Sequence, residues 1–125
     1  MSDESNKLKS ILKPFIAAVK SKPNVKALVT KWIDMKYGKI IGWKIKSEKQ
    51  EENYHLVITS EEAHLNVGEY PAFDVMLIGN SETILGILNG QKNINVEMKE
   101  KRLMVWGNLN EGLMFQKVLQ KIKSM

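Results

Sequence analysis

Residues 73–122 read FDVMLIGNSETILGILNGQKNINVEMKEKRLMVWGNLNEGLMFQKVLQKI. The stretch opens with the alternating apolar residues of a strand and continues as a short helix that Asn89-Gly90 ends. A loose helical turn is expected over 93–101, followed by a second strand over 103–106. The last helix begins near Asn110 and has one apolar face. This order places a sheet beside amphipathic helices, with an apolar compartment between them.

The chain before this stretch adds two helices and three strands. The first helix carries apolar residues at helical spacing from Leu8 to Val19, and Pro14 predicts a kink or a break after Lys13. A second helix should begin after Pro23 with Asn24 as its N-cap. Strands grouped between helices favour an α+β fold. We therefore expect one domain over 1–125, a five-stranded, mostly antiparallel sheet with helices packed on one face.

Charge is distributed unevenly along the 125 residues. Residues 1–50 have an excess of eight positive charges, whereas residues 51–90 contain seven acids and no Lys or Arg. Residues 91–125 have an excess of four positive charges, and the chain carries +5 overall. A basic helix is typical either of a solvated surface or of contact with anionic lipid headgroups. Arg102 is the single arginine, which argues against specific nucleic-acid readout.

The sequence shows no combination of residues that would support catalysis. There is no cysteine, so thiolate nucleophiles, thiolate metal sites and disulfides are excluded. His55 and His64 lie on strands that should pair, and with Glu61 or Glu62 they would be candidate zinc ligands, but their spacing matches no metal motif. GNSETILG lacks the lysine and glycine spacing of a phosphate loop. We therefore expect no catalytic site, no metal and no cofactor.

Apolar surface is what remains to carry a function. The chain has seven methionines, and flexible thioether side chains suit a pocket that accepts ligands of differing shape. The same residues also fill irregular cores, which is their more common role. Composition alone leaves both interpretations open and indicates no more than an α+β domain.

The segment from Gly79 to Leu119 resembles the signature of the sterol carrier protein type 2 family. It shows a capped helix ending in Asn89-Gly90, then Lys92, a basic-apolar strand, and Gly107-Asn108 before the last helix. The upstream order of two helices and three strands is also similar. Family members usually place a glycine before the last strand, where this chain reads KEKR over 99–102. The resemblance implies an elongated apolar tunnel between sheet and helices that holds fatty acid, acyl-CoA, sterol or isoprenoid-like ligands.

The resemblance also implies which residues would meet such a ligand. The apolar positions expected to line the tunnel come from the sheet and the last three helices: Trp43, Ile45, Leu56, Ile58, Phe73, Val75, Ile84, Leu88, Met98, Leu103, Val105, Met114, Phe115 and Val118. Basic residues near the expected entrance would meet an anionic headgroup: Lys92, Lys99, Lys101 and Arg102.

Three functions are therefore compared. The first is a lipid-binding and lipid-transfer protein whose partners are an acyl-chain ligand and, transiently through the basic N-terminal helix, an anionic membrane. The second is a non-catalytic accessory module with a filled core that partners a lipid-metabolism enzyme. The third is a polyanion binder using the lysine-rich ends. No apolar run approaches the length of a membrane span and the N-terminus has no apolar leader, so a cytoplasmic location is expected.

Overall fold

The computed structural model describes residues 3–33, 38–47, 50–68 and 70–123. Helices and strands follow one another in the predicted order, and the small helix expected over 93–101 is present. Their bounds are α1 Asp3–Ser21, α2 Pro23–Ile33, β1 Lys39–Lys46, β2 Glu51–Ile58, β3 Ala63–Val67, β4 Val75–Asn80, α3 Ser81–Leu88, α4 Ile94–Lys99, β5 Leu103–Gly107 and α5 Leu109–Lys123. The α+β class is confirmed.

The five strands form one sheet in the order β3-β2-β1-β4-β5. Strands β1, β2 and β3 are consecutive antiparallel neighbours, because the short connections around Ser47–Gln50 and Thr59–Glu62 close hairpins. Strand β4 then pairs with β1 in parallel, and β5 returns antiparallel to β4. The sheet is therefore mixed and mostly antiparallel, as predicted.

Each strand has an inner face toward the helices and an outer face away from them. On β1 the inner residues Ile41, Trp43 and Ile45 are at most 2% exposed, because α1, α2, α3 and α5 cover that side. Lys44 and Lys46 alternate with them on the outer face. No helix in the described part of the chain is long and apolar enough to cross a membrane.

The structure shows no break at Pro14, and the predicted N-cap of the second helix was wrong. Helix α1 runs without a break from Asp3 to Ser21, with Pro14 inside it. Pro14 is exposed, so water can reach the carbonyl group that the missing proline N–H leaves unpaired. Asn24 is not the N-cap of α2, because the helix begins at Pro23 and the Lys22 carbonyl accepts from Val25 and Lys26. Proline suits the first helical position, since its φ angle is already helical.

Candidate functional site

A pocket of about 610 Å³ lies at the β4–β5 edge of the sheet. This volume falls within the range of small-molecule sites, about 300–1,000 Å³. Its walls combine apolar side chains with three cations, and we call it the edge pocket. The lining residues are Lys46, Ile78, Gly79, Asn80, Met98, Lys101, Arg102, Leu103, Met104 and Val105.

Strand register assembles the wall of the edge pocket. In the β4–β5 pair, Ile78 lies opposite Met104 and Gly79 opposite Leu103. A Cβ atom on Gly79 would lie 3.0 Å from the Arg102 carbonyl oxygen, so glycine allows the chain entering β5 to approach β4 closely. Asn80 ends β4 and caps α3, because its side chain accepts a 2.8 Å hydrogen bond from the Thr83 amide.

The mouth of the pocket is formed by the turn between α4 and β5. The Lys101 amide donates to the Met98 carbonyl at 3.0 Å, and the Arg102 amide donates to the Glu97 carbonyl at 2.9 Å. This pair of bonds is a Schellman motif, which usually has glycine where Lys101 stands. Lys101 adopts the left-handed conformation with φ 62°. The turn thus forms without the glycine that is usual in this motif, and a cation occupies the left-handed position.

A buried carboxylate holds this turn in place. Glu97 is 3% exposed and accepts hydrogen bonds from Arg102 Nε at 3.1 Å and Nη2 at 2.6 Å. Thr83 Oγ1 donates to it at 3.3 Å, and Lys92 Nζ lies 3.7 Å away. The Arg102 hydrogen bonds lower the pKa of the Glu97 carboxyl to about 2, although its partial loss of solvation acts in the opposite direction. Glu97 thereby links α3, α4 and the start of β5.

This lowered pKa predicts acid sensitivity. The folded protein keeps Glu97 ionised below the usual glutamate pKa of 4.5, whereas the unfolded chain takes up a proton there. The stabilisation from Glu97 should therefore be complete above pH 4.5 and be lost as pH falls toward 2. Urea unfolding between pH 2 and 7 should show a shallower pH dependence for Glu97→Gln than for the original protein. Identical slopes would contradict the role assigned to this carboxylate, and Glu100→Gln, an exposed neighbour, serves as control.

The apolar residues predicted to line a tunnel occupy three environments. Ten of them are buried between the sheet and the helices: Trp43, Ile45, Leu56, Ile58, Val75, Ile84, Leu88, Leu103, Phe115 and Val118. Met98 and Val105 are half-buried and join Leu103 in the wall of the edge pocket. Phe73 is half-buried before the start of β4, and Met114 is 38% exposed on α5.

An aromatic cluster fills the centre of the buried group. The Phe115 ring lies 5.3 Å from Phe15, 5.8 Å from Trp32 and 6.0 Å from Trp43, measured between centroids. These rings come from α5, α1, α2 and β1, so the cluster joins three helices to the sheet. Side chains of the protein itself therefore occupy the centre of the inner face in this structure.

The four basic residues predicted to meet a headgroup do not lie together. Lys101 and Arg102 line the edge pocket, with Arg102 paired to Glu97. Lys99 is exposed on α4 and is not among the lining residues. Lys92 has its stem over Gly86 and its ammonium 3.6 Å from Glu82.

Sequence reasoning missed part of the pocket. Lys46, Ile78, Asn80 and Met104 also line it. In the sequence, Lys46 is one of three lysines in a strand with alternating pattern, and nothing local distinguishes it from Lys44. Only the parallel β1–β4 register, which places Lys46 opposite Asn80, brings it to this edge.

The two histidines have separate contacts. His64 Nε2 lies 3.0 Å from a Glu62 carboxylate oxygen, whereas the His55 ring nitrogen Nδ1 lies 2.9 Å from the Gly68 carbonyl oxygen. Within the described ranges, no three His, Asp or Glu side chains are grouped closely enough to hold a metal ion.

The sheet order, the helices on its inner face and the capped α3–α4–β5 corner define an α+β domain of the sterol-carrier type. Residues 12–120 match the sequence pattern of the SCP-2 sterol transfer family, so the chain belongs to that family. A comparison with curated protein sequences finds no match.

Solved structures share the fold at low sequence identity. A structure described as UbiJ-SCP2 ubiquinone synthesis protein is 13% identical, with a TM-score of 0.72 over 100% of this chain and 98% of the other. Apo sterol carrier protein 2 from Yarrowia lipolytica is 16% identical, with a TM-score of 0.67 over 96% and 94%. Palmitated SCP2L2 from Aedes aegypti is 16% identical, with a TM-score of 0.58 over 89% and 92%.

Proposed function

We propose that this protein is a non-catalytic carrier for a single-chain anionic lipid of the fatty-acid class. The observation that carries the proposal is the edge pocket, where three cations border an apolar wall. The carboxylate lies at Lys46 and Lys101, with Arg102 beside them. The acyl chain follows Met98, Leu103 and Val105 toward the core. Family membership and a fold shared with a palmitated protein support the same ligand class.

Apolar burial provides the affinity in this proposal. Met98 and Val105 pack against the buried core, so this part of the pocket wall is apolar and is supported from behind by the core. Each methylene removed from water contributes about 0.8 kcal/mol, and a chain of about sixteen carbons contributes about 12 kcal/mol before ordering costs. Selectivity between chains of similar length is low, because each methylene adds little and few polar groups converge on the chain.

Loading occurs at an anionic membrane surface in this proposal. Lysines 7, 9, 13 and 20 lie on α1, whose apolar side packs into the core through Leu8, Leu12 and Phe15. A basic helix surface gains about 1 kcal/mol per lysine near an anionic leaflet. Membrane contact would thus place the protein where its ligand is found.

The accessory-module function remains a second candidate, because one observation favours it. The cluster of Phe15, Trp32, Trp43 and Phe115 occupies the inner face where the family resemblance places a tunnel. A core filled in this way would keep the scaffold without a carrier role. Ligand binding by the purified protein decides between the two candidates.

The deciding experiment is fluorescence titration of delipidated protein with cis-parinaric acid, followed by displacement with hexadecanoate. The carrier function predicts saturable binding with one site and full displacement. Lys46→Glu/Lys101→Glu should weaken hexadecanoate binding at least tenfold, or about 1.4 kcal/mol, because both ammonium groups at the mouth become carboxylates. Lys31→Glu/Lys117→Glu makes the same charge change at exposed positions away from the pocket and should leave affinity within twofold. Absence of saturable binding would favour the accessory module.

Lys101 offers a separate test, since its charge and its backbone strain have opposite effects. The left-handed conformation costs a residue with a side chain about 1–2 kcal/mol. Glycine avoids this cost, although it loses more conformational entropy on folding, which offsets part of the gain. Lys101→Gly should therefore raise the free energy of unfolding by about 0.5–1 kcal/mol while weakening hexadecanoate binding severalfold. Thermal unfolding and the titration above measure both effects. If the Lys101→Gly protein is less stable than the original and binds hexadecanoate equally tightly, the role assigned to Lys101 is contradicted.

A further inference from the structure

A second pocket lies at the opposite edge of the sheet, between α1 and β3. Its volume is about 390 Å³, and we call it the α1–β3 groove. Its floor is apolar, whereas lysines and a histidine form its rim. The lining residues are Lys9, Lys13, Ile16, Ala17, Lys20, Ala63, His64 and Leu65. Ala63 also belongs to the buried core, and Ile16 and Leu65 pack against it, whereas the edge pocket shares no lining residue with the groove.

The hydrogen bonding of β3 determines which backbone groups face outward beside this groove. The Gly68 amide donates to the Asn53 carbonyl at 2.7 Å, and the Thr59 amide donates to the Glu62 carbonyl at 2.9 Å. In an antiparallel pair, every second residue of a strand forms hydrogen bonds with the neighbouring strand. His64 and Asn66 lie between Glu62 and Gly68 at this spacing, so their backbone groups also point toward β2. Ala63, Leu65 and Val67 consequently direct their N–H and C=O groups away from β2. Strand β3 ends the sheet order, and no described strand pairs with these groups.

Strand β3 carries few of the features that protect sheet edges from pairing. Natural edges commonly contain lysine or proline, or are twisted away by bulges. The β3 sequence AHLNV has neither residue, and Val67 is 75% exposed. The strand is therefore a suitable template for a further strand.

Charge and shape indicate what kind of strand would fit. An added strand would direct alternate side chains into the α1–β3 groove, because side chains on a strand alternate between faces. At the middle of the groove they would meet Ile16, Ala17 and Leu65. Residues 9, 13 and 20 lie along one side of α1, flanking this apolar floor. Of the neighbouring acids, Glu61 lies 3.4 Å from Lys26 and Glu62 lies 3.0 Å from His64. The His64 hydrogen bond has the largest effect in lowering the pKa of the Glu62 carboxyl, and Lys20 is also close enough to help lower it.

We propose that β3 and the α1–β3 groove form a docking site for an extended segment of a partner protein, which adds to the sheet as a sixth strand. The segment has an apolar side chain at its centre and acidic side chains two residues before and after it. Main-chain hydrogen bonds to Ala63, Leu65 and Val67 provide affinity, and the lysines of α1 provide specificity for the acidic side chains. This interface lies at the sheet edge opposite the edge pocket, and it uses lysines of α1 that the proposed membrane contact also uses.

The test uses the acetylated, amidated peptide TETVTET, whose alternation reads the same in both directions. NMR titration of the ¹⁵N-labelled full chain should show amide shifts centred on residues 63–67, and slower hydrogen exchange at Ala63, Leu65 and Val67. Lys13→Glu/Lys20→Glu should weaken binding at least tenfold, whereas Lys117→Glu/Lys121→Glu should change it less than twofold. Val67→Pro should abolish the shifts because proline lacks the edge N–H, and Val67→Ala should retain them.

Several outcomes would overturn the proposal. It fails if millimolar TETVTET causes no amide shifts at residues 63–67, or if the peptide TKTVTKT binds equally well. It also fails if Val67→Pro, shown to be folded by its amide spectrum, binds TETVTET unchanged. Binding of vesicles with 30% phosphatidylserine that protects α1 amides, without any peptide effect, would assign the groove to a membrane surface instead.

Discussion

Replacing Phe115 with alanine is expected to lower the free energy of unfolding by about 3–5 kcal/mol. Phe115 is 2% exposed and contacts rings from α1, α2 and β1, so its removal leaves a cavity that three separate elements would have to move to fill. Urea unfolding at pH 7 measures the effect. Met114→Ala, at a neighbouring position that is 38% exposed, should cost less than about 1 kcal/mol.

The hexadecanoate affinity of the Phe115→Ala variant also tests where the acyl chain lies. In the proposed site the acyl chain lies along the edge pocket, so hexadecanoate affinity of folded Phe115→Ala should stay within about threefold of the original. A loss of stability below about 1 kcal/mol would show that the aromatic cluster is not closely packed. A large gain in affinity would place the chain in the space of the Phe115 ring, between α5 and the sheet.

Replacing Glu111 alone with leucine is expected to cost about 3–5 kcal/mol. Glu111 on α5 pairs with Lys39 on the inner face of β1, and Lys39 is 4% exposed. The Trp32 indole nitrogen also lies 3.4 Å from a Glu111 carboxylate oxygen. Leucine would leave the Lys39 ammonium buried without its counter-charge and remove an acceptor for Trp32.

The double variant Lys39→Met/Glu111→Leu should recover most of that loss. Replacing both members of a buried ion pair by apolar residues of similar size is often neutral, because neither charge is then left unpaired. Urea unfolding of the two single variants and the double variant completes a double-mutant cycle. A double variant as unstable as the sum of the two single variants corresponds to a coupling energy near zero and would contradict the prediction.

The element order could be predicted from sequence because periodicity is a local property. Apolar spacing predicted the order of the described helices and strands, although residues 93–101, where α4 lies, were ambiguous. Asn89-Gly90 marked the end of α3 because these residues interrupt a helix regardless of what surrounds them. The same local reasoning was wrong about Asn24 as an N-cap, and the break that it allowed at Pro14 is absent. Each is compatible with two arrangements, and the surrounding helix determined which one forms.

The sequence by itself determined the fold class, the family and the apolar faces of the helices and strands, since all three depend on residue patterns along the chain. Only the tertiary structure decided which of those residues form a pocket. The parallel β1–β4 register brings Lys46 to the edge where β5 begins, and the Schellman turn holds Lys101 there in a left-handed conformation. Strand register brings together residues that are far apart in sequence, and the local pattern of residues does not predict which ones will be neighbours. For the same reason, the packing of Phe115 against three rings became visible only after the helices were placed on the sheet.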